Sequence, residues 1–381
     1  MAQQHLDPTN PAAGATTGDA LAGYLRAQAT EFLRALRLHR ETGGNGAGAA
    51  ARGHASARNG GTQESVDAAR ALRRAARRIS GSLHTFRSLL DPDWSEEMRP
   101  ELAWLSGTLG LEHAYEARLE RLLLALHRLS GAAVFPAQAV AAAAVGVSDP
   151  VAGGRATVPV KAVLDHAGGP AAGDRGNLTV GAAKAGALLE RQLTLARTRA
   201  HSTALQALGS SRFHAVADKV AVLASEVPLV AAGASCDLRP LAAAAEERLT
   251  DAVAALPLVT AGHPYNAEAL VHGLSPDPSP HPQDGPWHQV RLLLRLYRYA
   301  REVLHGDGQP DVRLLGAGQA LNRHRDASEA AAAAAQAART PRITPATAYA
   351  LGVLHADQRH EVEAARFAFQ QAWQKQTVSA P

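Results

Sequence analysis

The chain has 381 residues but only one cysteine, Cys236, so it can form neither an intramolecular disulfide nor a cysteine-based zinc site. Aromatic residues are also few, at 4% of the chain, and alanine supplies much of the 46% that is hydrophobic. Alanine has the highest helix propensity, and the β-branched alternation typical of strands is scarce. This composition predicts an all-α protein.

Long apolar runs are missing as well. The longest, around residues 131–147, is alanine-rich and interrupted by Pro136 and Gln138, which makes it too weakly apolar for a membrane span. The N-terminal residues lack the charged-then-apolar order of a signal peptide. We therefore expect a cytoplasmic protein with no membrane partner.

Motifs of the common enzyme classes are absent from the sequence. It contains no Walker A loop, no G-x-G-x-x-G after a strand, no G-x-S-x-G and no H-E-x-x-H. Its 17 histidines do not share acidic clusters at metal-ligand spacing. We expect no catalytic residues, no metal site and no cofactor, and therefore a binding protein rather than an enzyme.

What the chain does have is arginine on particular helix faces. Only four of its 39 basic residues are lysine, and the formal net charge is just +4, so the distribution of charge matters more than its total. Residues 70–87 predict a helix with one apolar side, and the basic residues of the other side are Arg70, Arg73, Arg74, Arg77, Arg78 and His84. Guanidinium groups offer planar forks of donors that suit phosphate oxygens, although charged helix faces are more often simply solvated.

A second helix, predicted over residues 288–305, repeats this arrangement. The residues that share its polar face are His288, Arg291, Arg295, Arg298 and Tyr299. Residues 70, 73 and 77 superpose without a gap on 288, 291 and 295, and the segments 109–114 and 321–326 follow at similar places. The sequence therefore predicts two diverged copies of one helical unit that pack together.

The remaining chain divides by composition. We expect a flexible N-terminus over residues 1–18 and one domain over 19–376, with a first helical half from 19 to about 180 and a second from about 181 to 376. Glycine-rich residues 42–62 predict a disordered insertion, and residues 273–286 a proline-rich linker that is not helical. Helices are expected at 19–40, 95–107, 111–129 and 210–226, among others, with Ser210 as an N-cap. Residues 130–180 give no clear pattern.

Together these motifs resemble the CHAD domains, conserved-histidine α-helical domains that bind inorganic polyphosphate. In the second half, His288, Arg291, Arg295, Arg298 and Tyr299 match the family pattern H-x-x-R-x-x-x-[KR]-x-x-R-Y. The family's L-G-x-H-x-D is matched by Leu321, His324 and Asp326, with Asn322 in place of the glycine, and the segment 199–213, which ends in Arg212 and Phe213, resembles A-L-x-S-x-R-[FY].

The first half departs from the family pattern. Arg70 stands in the histidine position and Ser80 replaces the last arginine, while Arg73, Arg77 and Arg78 match. The R-D-x-D motif that should follow is replaced by residues 113–116, His-Ala-Tyr-Glu. The resemblance covers residues 19–376, and we expect the better-matched second half to carry more of the binding.

The resemblance implies two helical bundles related by a pseudo-twofold axis, with basic residues of both lining a central channel for an extended polyanion. It implies binding of inorganic polyphosphate, on polyphosphate granules in phosphate-rich cells, with Asp326 orienting His324 or an arginine from behind. The phosphate-binding residues expected on these grounds are Arg70, Arg73, Arg77, Arg78, His84, Arg87, Arg212, His288, Arg291, Arg295, Arg298, Tyr299 and His324. Binding of nucleic acid or another polyanion, and a helical scaffold with solvated arginine faces, are the alternatives.

Overall fold

The all-α prediction is confirmed by a computed structural model, which describes residues 17–49, 55–131, 172–263, 281–306 and 311–374. These residues contain no strand and only two isolated bridges, Thr17 with Asp237 and Leu90 with Leu229. Their helices are α1 (Gly18–Ala49), α2 (Ala55–Thr85), α3 (Pro92–Leu129), α4 (Ala172–Leu208), α5 (Ser211–Ser225), α6 (Arg239–Ala254), α7 (Leu258–Ala261), α8 (Gly285–His305), α9 (Val312–Ala338) and α10 (Pro345–Gln374). Within the same residues, no helix is long and apolar enough to cross a membrane.

Side-chain caps set two of the helix starts. Asp91 accepts a hydrogen bond from the backbone N–H of Trp94 at 2.8 Å, and Pro92, which needs no N–H partner, occupies the first position of α3. Ser210 accepts a hydrogen bond from the N–H of Phe213 at 3.2 Å, which confirms it as the N-cap of α5. The predicted separate helices at 95–107 and 111–129 are wrong, because α3 runs through both. Its two ends pack into different cores, and that packing outweighs the low helix propensity of the intervening glycines.

The buried residues form three clusters. The first joins α1, α2, the first half of α3 and α5 with the start of α6 and the end of α8, and Phe32, Ile79 and Val220 are among its members. The second joins α6, α8 and α9 with Phe369 of α10. The third joins the end of α3 to α4, α9 and α10.

Core membership does not follow the expected boundary near residue 180. Helix α5 lies beyond that boundary, yet Phe213, Val216 and Val220 are buried in the first cluster with α1–α3. The third cluster takes helices from both halves. The pseudo-twofold relation and the central channel remain predictions.

Segments expected to be irregular fall partly on described residues. The glycine-rich segment 42–62, expected to be disordered, is largely helical because the packed helices α1 and α2 both extend into it. Residues 42–49 end α1 and residues 55–62 begin α2. Residues 50–54 lie outside the described residues. Residues 1–16, 132–171, 273–280 and 375–376 also lie outside them. The end of the proline-rich linker is helical after all: a 3₁₀ turn spans Pro282–Asp284, and Gly285 and Pro286 begin α8, where proline fits the first turn.

Candidate functional site

The two arginine-rich helices, α2 and α8, pack against each other. Gly81 of α2 is buried at their contact, and a Cβ added there would lie 2.6 Å from Cδ2 of Tyr299 on α8. Glycine is therefore required for this close approach, since a real Cβ does not come so near a ring carbon. The two basic faces, which the sequence predicted separately, adjoin in the folded protein.

Four arginines at this junction are half-buried and form no ion pair with any described residue. They are Arg73 and Arg77 of α2 and Arg291 and Arg295 of α8, and we call them the central arginine cluster. Arg291 donates a hydrogen bond from Nε to Oδ1 of Asn322 at 2.9 Å. The cluster therefore concentrates positive charge where water is partly excluded.

The pKa values of these groups reflect their crowding. Burial, followed by the charges of Arg73 and Arg295, lowers the pKa of Arg77 to about 10. Burial, followed by the charges of Arg325 and Arg295, lowers the pKa of Arg291 to about 10. Burial and the charge of Arg325 lower the pKa of Arg73 too. All three stay charged at neutral pH, so a bound anion would relieve repulsion that the folded chain leaves uncompensated.

A cavity of about 170 Å³ opens beside the cluster. Its polar lining comes from Arg74, Arg78, Arg291, Arg295, Arg298 and Tyr299, together with one carboxylate, Glu302. Glu302 Oε2 accepts hydrogen bonds from Arg78 Nε at 2.8 Å and from the Tyr24 hydroxyl at 3.0 Å. Arg78 is thus already neutralised, whereas Arg298 has no ion-pair partner among the described residues.

A larger cavity of about 650 Å³ lies on the other side of Tyr299. It shares Arg295 and Tyr299 with the first cavity and adds Arg77 and His84. Burial, followed by the charge of Arg99, lowers the pKa of His84 below its ordinary value, so this ring is neutral at pH 7. The structure therefore brings His84 to the same arginines as predicted, but as a neutral donor.

Three predicted arginines lie apart from the central arginine cluster and from both of these cavities. Arg70 pairs with Asp67 on its own helix at 3.1 Å. Arg87 is exposed in the 3₁₀ turn Arg87–Leu89 and lines neither cavity. Arg212 pairs with Glu101 at 2.6 Å and lies over the ring of Trp104, 4.0 Å from its centroid. Local partners on the surface already satisfy Arg70 and Arg212.

Comparison with known proteins supports the resemblance. A family profile described as CHAD domain matches residues 46–335, which is most of the chain although less than the 19–376 expected. The chain belongs to the CHAD domain family. It is also similar to PptA from Streptomyces chartreusis, at 66% identity over 94% of this chain and 100% of that one, with a TM-score of 0.71. No curated protein gives a significant match.

The histidine in the CHAD motif of the second half lies in the core. His324 is 1% exposed and stacks on Trp287 with ring centroids 5.6 Å apart. Its Nε2 lies 3.5 Å from Oδ1 of Asp284 and accepts a hydrogen bond from Arg366 Nε at 3.3 Å. Burial lowers the pKa of His324 to about 4, against the opposing effect of Asp284. His324 therefore does not line the arginine cavities, and its neutral ring packs between helices.

Asp284, which sequence reasoning missed, holds this part of the CHAD domain together. Its carboxylate is fully buried and accepts hydrogen bonds from Arg359 and Arg366 of α10, each at 2.8 Å, and from Ser328 of α9. Although burial raises the pKa of Asp284, these donors and His324 lower it well below its ordinary value. The cluster fixes the turn before α8 to α9 and α10, and so fixes where the basic face of α8 points.

His288, the other histidine of the CHAD pattern, lies between the buried His324 and the arginines of α8. Its ring meets that of His324 edge-on at 5.5 Å, and its Nε2 is buried without a hydrogen-bond partner among the described residues. Burial lowers its pKa below the ordinary value. His288 lines neither arginine cavity, although Arg291 follows it by one helical turn.

Asp326 orients an arginine rather than His324. It accepts a hydrogen bond from Nε of Arg325 at 2.9 Å, which is the second of the two roles expected for it. Arg325, and Asn322 at the first cavity, were not among the expected phosphate-binding residues. Arg74, which also lines that cavity, was placed on the basic face but was likewise not expected to bind phosphate. The sequence carried a signal for Arg325, because it lies inside the matched CHAD segment 321–326. Nothing in the local pattern marked Asp284, which lies among prolines.

Proposed function

We propose that the protein binds inorganic polyphosphate, without catalysing a reaction on it, through the arginines that α2 and α8 bring together. The observation that carries the proposal is the central arginine cluster: four half-buried guanidiniums with no carboxylate partner among the described residues. A folded chain normally pairs charges that it removes from water. Membership of the CHAD domain family supports a phosphate chain as the missing counter-charge.

Polyphosphate suits this arrangement physically. Each of its phosphate groups carries about one negative charge and several acceptor oxygens, and many weak contacts add along one chain. Guanidinium forks donate two hydrogen bonds at a time to such oxygens. The arginines that α2 and α8 contribute to the central arginine cluster would then bind one ligand together rather than form two separate sites.

Binding without catalysis is supported by how the nearby carboxylates are used. Phosphoryl transfer needs carboxylates that hold Mg²⁺ against the phosphates. In the first cavity, Glu302 already accepts hydrogen bonds from Arg78 and Tyr24. Asp326, which does not line that cavity, accepts a hydrogen bond from Arg325. Both carboxylates are therefore already engaged by arginines of the chain.

The alternatives fit the geometry less well. Single-stranded nucleic acid is bound by stacking bases on exposed aromatic rings, whereas Tyr299 is held against Gly81 and Leu296 packs at the same contact. A scaffold with solvated arginines would resemble Arg34 and Arg37 of α1, which are 72% and 80% exposed and pair within their own helix. The central cluster is half-buried and unpaired instead.

A titration distinguishes polyphosphate binding from general polyanion binding and from a scaffold with solvated arginines. Purified protein is titrated with long-chain polyphosphate, single-stranded DNA and heparin, each at two salt concentrations. We expect polyphosphate to bind more tightly than the other two at both, with an affinity that falls as salt rises. Equal binding of all three would favour general polyanion binding, and no binding would favour the scaffold. A steady release of phosphate from polyphosphate with Mg²⁺, copurifying with the protein, would refute the non-catalytic part.

The cellular part of the proposal is association with polyphosphate granules in the cytoplasm. A fluorescent fusion should gather on granules in phosphate-rich cells. The matched control is the same fusion carrying Arg291→Ala and Arg295→Ala, which should stay diffuse. A wild-type fusion that is diffuse in cells with visible granules would contradict this part alone.

A further inference from the structure

A third cavity, of about 390 Å³, lies on the far side of Arg73 and Arg77 and is walled by α3 and α9. Helix α3 contributes His113, Arg118 and Arg121, and α9 contributes Arg325. This is the part of the chain where the first-half motif of the family is replaced, so the motif match alone predicts no site there. We call it the α3 cavity.

Charge in the α3 cavity is strongly unbalanced. Five guanidiniums line it, those of Arg73, Arg77, Arg118, Arg121 and Arg325, against two carboxylates. Both carboxylates are on α9: Asp326 pairs with Arg325, and Glu329 pairs with Arg118 and lies 3.9 Å from Nε of Arg325. Arg121 donates from Nε to Oε1 of Gln358 at 2.6 Å and lies 3.7 Å from Glu361, a carboxylate outside this cavity. Arg73 and Arg77 form no ion pair with any described residue, so the excess positive charge of the cavity comes from these two arginines and attracts anions.

Two polar atoms of residues that line the cavity are left without hydrogen-bond partners. Arg118 Nε and His113 Nδ1 are buried atoms with no hydrogen-bond partner among the described residues. Glu116 Oε2 lies 3.8 Å from His113 Nδ1, which is beyond hydrogen-bond reach. Leaving such groups unmatched costs free energy, and an oxyanion beside Arg118 would supply an acceptor for its Nε.

A glycine helps to hold Arg73 at this cavity. A Cβ added to Gly110 of α3 would lie 2.8 Å from Nη1 of Arg73, so the missing side chain leaves room for that guanidinium against α3. Arg73 and Arg77 thereby belong both to the central arginine cluster and to the α3 cavity. A chain ligand at the cluster can continue into the cavity.

We propose that the α3 cavity is a second phosphate subsite, in which His113, Arg118 and Arg121 bind a further stretch of the same polyphosphate chain. This inference rests on the proposed function and extends it, because it assigns binding to the first half of the domain through residues outside the family motif. Glu329 acts there as a competing counter-ion, since an incoming phosphate must share Arg118 with it.

The first test removes the two new arginines. Arg118→Ala/Arg121→Ala should weaken the binding of long-chain polyphosphate about tenfold, the equivalent of about 1.4 kcal/mol. The matched control is Arg34→Ala/Arg37→Ala, which also removes two ion-paired arginines but from the outer face of α1, and should change affinity less than twofold. Arg118→Gln/Arg121→Gln keeps long side chains with donors, and replaces the alanine variant if circular dichroism shows that variant to be unfolded.

The second test predicts a gain of affinity for polyphosphate rather than a loss, so a misfolded variant cannot imitate the expected result. Glu329→Gln removes the competing carboxylate and should tighten polyphosphate binding about threefold, whereas Glu41→Gln, an exposed change of the same charge, should have little effect. A general loss of stability cannot produce a gain in affinity.

The outcomes separate this inference from the proposed function. If the wild-type protein binds no polyphosphate, both are overturned. If Arg291→Ala/Arg295→Ala loses affinity but Arg118→Ala/Arg121→Ala matches its control, or Glu329→Gln gives no gain, only the subsite is overturned. The subsite is also overturned if Arg118→Ala/Arg121→Ala loses binding of orthophosphate but keeps the wild-type affinity for long-chain polyphosphate. The cavity would then hold a free phosphate rather than part of a chain.

Discussion

Gly81 of α2 lies so close to Tyr299 of α8 that a single added Cβ would come within 2.6 Å of the ring. This contact places one arginine face beside the other, so the central arginine cluster depends on a position without a side chain.

Gly81→Ala should destabilise the protein and weaken polyphosphate binding together. Tyr299 must move to accept the new methyl group, and such overpacking costs about 1–3 kcal/mol. Thermal unfolding and polyphosphate titration would measure both effects. The control is Gly23→Ala on the exposed side of α1, where a Cβ meets nothing within 4 Å and alanine should stabilise the helix slightly. Equal behaviour of the two variants would contradict the packing argument.

Loss of either arginine pair of the central cluster should weaken polyphosphate binding at least tenfold. Each charge-assisted contact contributes about 1.5–3 kcal/mol, partly offset by redundancy along a multivalent ligand. The motif match predicted a larger loss for Arg291→Ala/Arg295→Ala than for Arg73→Ala/Arg77→Ala. The competing argument is that both pairs are half-buried at one junction, which predicts similar losses.

Titration of both double variants, with circular dichroism to check folding, decides between these expectations. A clearly larger loss for the α8 pair would show that the motif match, and not the shared junction, locates the site. Unchanged affinity in both folded variants would indicate that these arginines are solvated surface residues that do not bind polyphosphate.

Removal of Asp284 should be far more damaging than removal of a surface carboxylate. Asp284→Ala leaves Arg359 and Arg366 buried beside each other without their shared partner, which costs about 3–5 kcal/mol. Glu41→Ala breaks only the exposed pair with Arg37 and should leave the melting temperature almost unchanged. Chemical denaturation of both variants would measure the difference. Comparable stability would mean that the buried cluster contributes little.

Stability should fall as the pH falls from about 6.5 toward 4. Burial lowers the pKa of folded His324 to about 4, so in this window the unfolded chain binds a proton that the folded chain refuses. One such group changes stability by at most about 1.4 kcal/mol per pH unit. His324→Gln should flatten the pH dependence of the melting temperature without abolishing it, because burial also lowers the pKa values of His84 and His288. An unchanged slope would place His324 in contact with water.

The sequence by itself determined the helical class and the two arginine faces. Both follow from local properties: alanine-rich composition favours helix, and a spacing of three and four residues puts Arg73, Arg77, Arg291 and Arg295 on defined faces whatever the rest of the chain does. The cap at Ser210 was predictable for the same reason, since its partner is three residues away. The family patterns added which faces matter.

Only the tertiary structure decided which of those residues are free to bind. His324 fits the motif yet is buried, because its surroundings come from Asp284 in a turn and Arg366 on another helix. Arg78 and Arg212 are neutralised by Glu302 and Glu101, each more than a hundred positions away in the chain. Burial and pairing are set by contacts between distant segments, and helical periodicity carries no information about them.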